Sequence, residues 1–395
     1  MSHEQPAPET AEGPAGIYVH IPFCRSKCPY CSFVSFQDVG VGAKKAYMAA
    51  LGRQAEEMAA HPWTRTRTFN SLYIGGGTPP TVDILELTAF IENCLKVFHL
   101  TSPCGERTEI SLEANPNTVN LEMLKRLRQA GVNRLSLGIQ SFSDIMLQSI
   151  GRKHSSQDGI RAAAWAREAG FSNISLDLMY ALPCQDLATW QDSLDMVASL
   201  EPEHLSVYEL TVEQGTPFAE LKRQGKLALP DEDMALAMFE RAQEFLSAQG
   251  YEQYEISNYA RQGFQCIHNI NYWENGSYIG LGSGAVSCFS GVRIKNEEDP
   301  VRFIEAVGQD IQPFKEAEIL DLSARFRETV IMGLRMTAGV SLARLQERFG
   351  TTPEKYFGED LASLIRDGLL EEHQGRLRLT QRGLPLANRV MACLV

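Results

Sequence analysis

The chain has 395 residues, room for two or three domains or for one large α/β barrel with an appendage. Its 44% hydrophobic and 22% charged residues are ordinary globular values, and 37 Lys plus Arg against 49 Asp plus Glu, a formal charge of −12, argues against a general binder of nucleic-acid phosphates. No stretch approaches the ~18 consecutive apolar residues of a membrane span, and nine cysteines, an odd number without an export signal, argue against a disulfide framework.

Residues 1–15 read as a disordered tail: the first sixteen residues hold three Glu, three Pro and no Lys or Arg. A strand at 16–22 leads into a cysteine-bearing loop, and a helix is expected at 41–61. The pattern then alternates. Strands are expected at 69–74, 107–113, 134–140, 173–180 and 204–210. Helices are expected at 81–99, 120–130, 143–149, 155–169 and 188–199. Six strands alternating with helices predict βα units and a parallel sheet, either Rossmann-like or an incomplete barrel; periodicity does not separate the two. In both, ligands gather at the C-terminal ends of the strands.

After Thr211 the alternation fades. A helix is expected at 230–249, and 251–295 is rich in Tyr, Asn and Gly. From about 318, three helical segments and a short hairpin around His373-Gln374-Gly375 predict a winged-helix-like α+β domain. Residues 316–395 hold eleven acidic and eleven basic residues. That neutral balance lacks the basic face of a DNA reader and points to packing on the barrel or on a protein.

Three of the nine cysteines, Cys24, Cys28 and Cys31, form a C-x3-C-x2-C loop. Zinc wants four ligands, as do ferredoxin-type clusters. Three thiolates in one tight loop suit a four-iron cluster whose fourth iron is open to a small-molecule ligand. The other six are read as small buried hydrophobes. Gly75-Gly76-Gly77-Thr78-Pro79 after the second strand lets backbone approach a charged head group closely. Glu113 ends the third strand and Gln140 the fourth. Asp177 lies in the fifth strand, and Arg152 in an IGRKH segment.

The segment YVHIPFCRSKCPYCSF resembles the signature of radical S-adenosylmethionine (SAM) proteins. Within them it is most similar to the branch of oxygen-independent coproporphyrinogen oxidase and its haem-chaperone relatives, the HemW type. The resemblance runs from Tyr18 through nearly the whole chain. It implies an incomplete (β/α)6 barrel with a [4Fe–4S] cluster on Cys24, Cys28 and Cys31. It further implies SAM held by Gly76, Gly77 and Thr78 at its amino group and by Glu113 at its ribose. Gln140, Arg152 and Asp177 match further cofactor contacts, Arg152 suited to the methionine carboxylate. Tyr18 and Tyr30 match aromatic positions lining the cofactor. Two departures stand out: Tyr180-Ala-Leu-Pro-Cys184-Gln where the family reads YGLPGQ, and Pro80 where a small hydroxyl residue is usual.

Two markers favour the chaperone branch. Phe33 stands where the oxidases carry an extra cysteine, and only 23 residues precede Cys24. His268-Asn269-Ile270-Asn271-Tyr272-Trp273 resembles the HNxxYW motif linked to haem binding, with His268 as axial ligand and the aromatics against the porphyrin. The resemblance thus implies a carrier that binds haem and delivers it to apo-proteins such as respiratory cytochromes. The alternatives are a coproporphyrinogen III dehydrogenase and, more remotely, a winged-helix regulator sensing iron–sulfur status. The expected setting is cytoplasmic, free or peripheral to a membrane, without nucleic acid and with a homodimer left open. The expected domains are a barrel over 16–215, a barrel extension over 216–315 and the winged-helix-like domain over 316–395.

Overall fold

The computed structural model describes residues 13–37, 39–100 and 108–395. The expected tail lies outside the described residues as far as residue 12, and Ala15, assigned to it, already begins the first strand.

The predicted alternation is present. It runs β1 (Ala15–Ile21), α1 (Val41–Ala60), β2 (Phe69–Gly76), α2 (Ile84–Val97), β3 (Glu109–Ala114) and α3 (Leu121–Gln129). It continues through β4 (Arg134–Gln140), α4 (Asp144–Ser149), α5 (Ser156–Glu168), β5 (Ile174–Tyr180), α6 (Leu187–Leu200) and β6 (His204–Glu209). The six strands lie side by side in chain order, every neighbouring pair parallel. Strand parity explains why these segments read as near-continuous buried runs. Ile17, Val19, Leu72, Ile74, Leu112, Leu137 and Leu176 face one way and join the main hydrophobic core. The residues between them, such as Tyr18, Tyr73, Glu113, Ser136 and Asp177, face the other way and hydrogen-bond or stack with one another across the strands. The concave side of the sheet is therefore a polar, aromatic chamber.

The region after Thr211 adds strands to both edges, which the fading periodicity did not predict. Helices α7 (Pro217–Arg223) and α8 (Glu232–Ala248) precede β7 (Glu252–Gln253) and β8 (Asn258–Ala260), and β8 runs antiparallel to β6. Helix α9 (Ile267–Trp273) then crosses to the other edge. There β9 (Tyr278–Leu281) lies parallel to β1, followed by β10 (Val286–Phe289) and β11 (Val292–Asn296). After α10 (Pro300–Gly308), β12 (Phe314–Ile319) closes that side. The result is one twelve-stranded sheet whose edges, β12 and β7, do not pair: a barrel left open. Helix α9 packs against β1 and β2.

The C-terminal part has the winged-helix order. Helix α11 (Leu322–Gly333) precedes β13 (Val340–Ser341), α12 (Leu342–Phe349), α13 (Pro353–Phe357) and α14 (Glu359–Arg366). The hairpin of β14 (Leu370–His373) and β15 (Arg376–Leu379) pairs with β13, and α15 (Ala387–Ala392) ends the chain. Because β12 belongs to the large sheet, we place the start of this domain at α11. Its core, including Phe326, Val330 and Leu345, is continuous with that of the barrel. Among the described residues no helix is long and apolar enough to cross a membrane.

Candidate cluster and cofactor site

The cysteine loop leaves the C-terminal end of β1 and is tied down at both ends. Cys24 N donates to Phe36 O at 3.0 Å, and Cys31 N donates to Cys28 O at 3.1 Å. All three thiols are half-buried. Among the described residues no three His, Cys, Asp or Glu side chains converge closely enough for a single metal ion. Three cysteines in one loop are one thiolate short of the four that a ferredoxin-type cluster takes, which suits a four-iron cluster with one iron left for another ligand.

The groups around the sulfurs are donors. Thr78 Oγ1 donates to Cys24 Sγ at 3.7 Å, and Arg152 Nη1 donates to Cys28 Sγ at 3.7 Å. Tyr30 hydrogen-bonds Cys28 and Arg152 and leans on Phe218, with ring centroids 6.3 Å apart. Lys27 Nζ donates to Phe33 O at 3.1 Å, while the Phe33 ring itself is 67% exposed. Donors on Cys24 and Cys28 suit an anionic thiolate cluster.

The glycine turn sits beside this loop. Gly77 N donates to Ile21 O at 2.9 Å and Thr78 N to Phe23 O at 2.8 Å, which locks the turn onto the end of β1. Gly76 has φ +109°, and a Cβ there would fall 2.5 Å from the His20 ring, so both backbone and space demand glycine.

Glu113 points into the chamber, where Tyr73 OH donates to Oε1 at 2.8 Å and Gly76 N to Oε2 at 3.2 Å. Burial pushes its carboxyl up to about 7, with neighbouring Asp177 adding to the rise and the two hydrogen bonds opposing it. Asp177 accepts from Ser136 at 2.9 Å and from Ser175 at 3.3 Å; burial raises its pKa while the Ser136 and Ser206 hydroxyls oppose the rise. Gln140 ends β4 in the left-handed region, φ +69°, after a break in register with β5. Tyr18 OH hydrogen-bonds His20 Nδ1 at 3.0 Å, and its ring stacks on Tyr73 at 6.3 Å.

The guanidinium of Arg152 is engaged by the protein rather than left open. Besides Cys28 it binds Gly138 O and Asn115 Oδ1. Asn115 was missed in the sequence. It follows Glu113 by two positions, the strand period, so it lies on the same face of the chain; its Nδ2 donates to Thr78 Oγ1 at 2.9 Å.

His268 lies inside the barrel, 2% exposed, below the Glu113 layer. Its Nδ1 is 3.0 Å from Ser71 Oγ, while Nε2 has no hydrogen-bond partner. The ring stacks on Tyr73 at 5.1 Å and on Tyr18 at 6.3 Å. Burial, then the Arg134 charge, pushes its pKa down to about 3, so the imidazole is neutral. The rest of the motif builds outward. Asn271 Nδ2 donates to Ser277 O at 3.0 Å, Tyr272 stacks on Tyr278 at 4.3 Å, and Trp273 lies 4.4 Å beneath the Arg335 guanidinium. Beneath His268 the floor is closed by Glu109, which accepts from Ile267 N at 2.8 Å, and by His204, which bridges Arg134 at 3.2 Å and Tyr254 at 2.8 Å.

Of the sequence-derived candidates, Thr78 reaches Cys24, and Arg152 and Tyr30 reach Cys28, with Cys31 in the same loop. Gly76 links them to Glu113, which connects through Tyr73 to Tyr18 and His268.

An open parallel barrel with a three-cysteine loop at the end of β1 and a glycine turn at the end of β2 defines a radical SAM protein. The sequence profile of the Radical SAM superfamily matches residues 18–197, and that of the HemN C-terminal domain matches 320–386. The fold is also that of the Escherichia coli coproporphyrinogen III oxidase HemN, with a TM-score of 0.82, 24% identity, and coverage of 97% of this chain and 90% of that one. Within this class the chain belongs to the heme chaperone HemW family. It is 35% identical to the Bacillus subtilis "Heme chaperone HemW" over 96% of this chain and 98% of that protein. It is 39% identical to the E. coli protein of the same name over 69% of each. The mouse "Radical S-adenosyl methionine domain-containing protein 1, mitochondrial" is 31% identical over 99% of this chain and 90% of its own. Radical SAM membership carries with it a [4Fe–4S] cluster and SAM.

Proposed function

We propose that this chain binds haem and hands it to apo-proteins from a radical SAM scaffold. The observation that carries the reading is the alignment with a protein named as a heme chaperone over 98% of that protein's length. The exposed Phe33, at the position of the oxidases' extra cysteine, supports it. Cys24, Cys28 and Cys31 would hold the cluster. Gly76, Gly77 and Thr78 would meet the methionine amino group of SAM, Glu113 its ribose, and Gln140, Asp177 and Arg152 its remaining polar groups, with Tyr18 and Tyr30 lining the pocket. When bound, cluster and SAM together supply one-electron reducing chemistry beside a sulfonium. The chain's own groups hold the charges: Arg152, Thr78 and Tyr30 solvate the thiolates, and hydrogen bonds from Tyr73, Gly76 and Ser136 hold Glu113 and Asp177 along the strands.

His268 is the proposed haem ligand. Support comes from its neutral imidazole and its unpartnered Nε2. Its burial means that the groups packed around it have to move for a porphyrin to reach it. The test is anaerobic. The reconstituted protein should give a Soret band with haem, weakened or shifted by His268→Ala, and should convert no coproporphyrinogen III in the presence of SAM and reductant. Conversion at the rate of an oxidase control overturns the chaperone reading. An unchanged band in the His268 variant overturns the ligand assignment alone.

A further inference from the structure

We propose that Asn115 is a positioning residue that couples two of the cluster thiolates and raises the reduction potential of the cluster they hold. The inference rests on the cluster reading above. It starts from a continuous chain of hydrogen bonds across the mouth of the barrel. Cys28 Sγ accepts from Arg152 Nη1 at 3.7 Å, and Arg152 Nη2 donates to Asn115 Oδ1. Asn115 Nδ2 donates to Thr78 Oγ1 at 2.9 Å, and Thr78 Oγ1 donates to Cys24 Sγ at 3.7 Å. Three residues, Thr78 after β2, Asn115 after β3 and Arg152 in the segment beyond α4, thus join two sulfurs of the same loop.

The polarity of this chain is dictated chemically. A guanidinium only donates, so the amide oxygen of Asn115 faces Arg152 and its NH2 faces Thr78. The Thr78 hydroxyl, having accepted from that NH2, turns its own proton toward Cys24. Asn115 therefore sets the direction of the hydroxyl that donates to Cys24. A second Arg152 Nη2 bond, to Gly138 O, fixes the guanidinium from below. The relay passes so close over Gly138 that a Cβ there would sit 2.9 Å from Asn115 Oδ1 and 3.1 Å from Arg152 Nη2. Asn115 itself is anchored through its backbone, Asn115 N donating to Thr118 Oγ1 at 3.2 Å and Thr118 N to Asn115 O at 2.9 Å.

Hydrogen bonds to cluster sulfurs withdraw electron density and favour the more negative, reduced state. Asn115→Asp keeps the shape but replaces the NH2 by an acceptor. Arg152 still has its partner, the Thr78 hydroxyl turns round to donate to Asp, and Cys24 loses its donor while a negative charge is added nearby.

The experiment uses the full chain reconstituted anaerobically with iron and sulfide, without SAM, in a redox titration followed by electron-spin resonance. Asn115→Asp should keep the iron content of the parent while its reduced-to-oxidised ratio at fixed ambient potential falls about tenfold, equivalent to about 59 mV for a one-electron couple. Thr78→Val should fall in the same direction and Thr78→Ser, which keeps the hydroxyl, should not. Thr78→Val should also cost less in the Asn115→Asp background than alone. Full iron with an unchanged potential in Asn115→Asp overturns the proposal and leaves the cluster reading intact. If Asn115→Asp holds no iron, the Thr78 pair decides, and equal potentials for Thr78→Val and Thr78→Ser overturn it. A parent chain that takes up no iron overturns the cluster reading and this inference together.

Discussion

The imidazole of His268 and the phenol ring of Tyr73 stack 5.1 Å apart at an interplanar angle of 23°, and the hydroxyl of that same Tyr73 donates to Glu113. The HNxxYW segment is thereby linked, through Tyr73, to the carboxylate proposed for the SAM ribose. At its other end the segment reaches the C-terminal domain, through Trp273 under Arg335 and through Asn275 Nδ2, which donates to Thr329 Oγ1 at 3.0 Å.

From this contact, His268→Ala should disturb more than haem. Removing a fully buried ring that Tyr73 leans on should lower stability by about 2–4 kcal/mol and weaken SAM binding several-fold, read by denaturant melts and by calorimetric titration. Ser71→Ala, which removes only the Nδ1 partner, should cost about 1 kcal/mol and leave SAM affinity within twofold. Equal SAM affinity in the parent and His268→Ala would show that the stack transmits nothing.

The cluster prediction concerns composition. The chain should take up about four irons and four sulfides, and Ser at Cys24, Cys28 or Cys31 should abolish the brown chromophore. Ser at Cys94, a buried thiol remote in sequence from the loop, or at the exposed Cys393 should not. Iron and sulfide analysis checks both halves.

Glu113 makes the empty protein pH-sensitive. Its folded pKa of about 7 lies above the ordinary carboxylate value of 4.5, so the unfolded chain releases this proton first as pH rises. Its contribution to stability is intact below pH 4.5, declines between pH 4.5 and 7 and is lost above. The loss is roughly 3 kcal/mol at 1.36 kcal/mol per pKa unit. Glu113→Gln should flatten the fall in denaturant midpoint between pH 5 and 8. It should also weaken SAM binding while iron content holds.

Three backbone positions make opposite predictions. Ala181 and Cys184, the two departures from the YGLPGQ pattern, adopt left-handed backbone with φ +56° and +59°. Glycine at either should stabilise by up to about 1 kcal/mol. Gly76→Ala should destabilise by about 2 kcal/mol or more, because the strained φ and the His20 ring act together. Thermal melts of the three single variants give the signs.

The six βα units were legible because each strand buries an apolar face and each helix repeats one, and the expected 134–140 strand coincides with β4. The edge strands were not. β7, β8 and β9 are two, three and four residues long, too short for a period to register, and β9 finds its place only by pairing with β1, which lies more than two hundred residues earlier. The cysteines, Thr78, Glu113 and Arg152 were legible by motif. The partners of Arg152 were not, since an arginine's donors are assigned only once the chain has brought Asn115 and Gly138 beneath it. Asn115 carried a usable signal, its two-residue offset from Glu113 at a strand end. His268 was legible as a residue beside aromatics, but its burial depends on Ser71 and Tyr73 from a distant strand.

The place of β1 in the middle of the sheet has a consequence for biosynthesis. The cysteine loop follows β1 directly, yet α9, which brings His268 into the barrel, comes roughly 240 residues later, about 10–50 s of ribosomal time. Until α9 and β9 emerge, β1 has one flank unpaired and the chamber lacks its base. The thiols are thus made long before the sheet that carries them is complete, and the nascent chain needs either a reducing environment or early capture of iron to keep Cys24, Cys28 and Cys31 from oxidising one another.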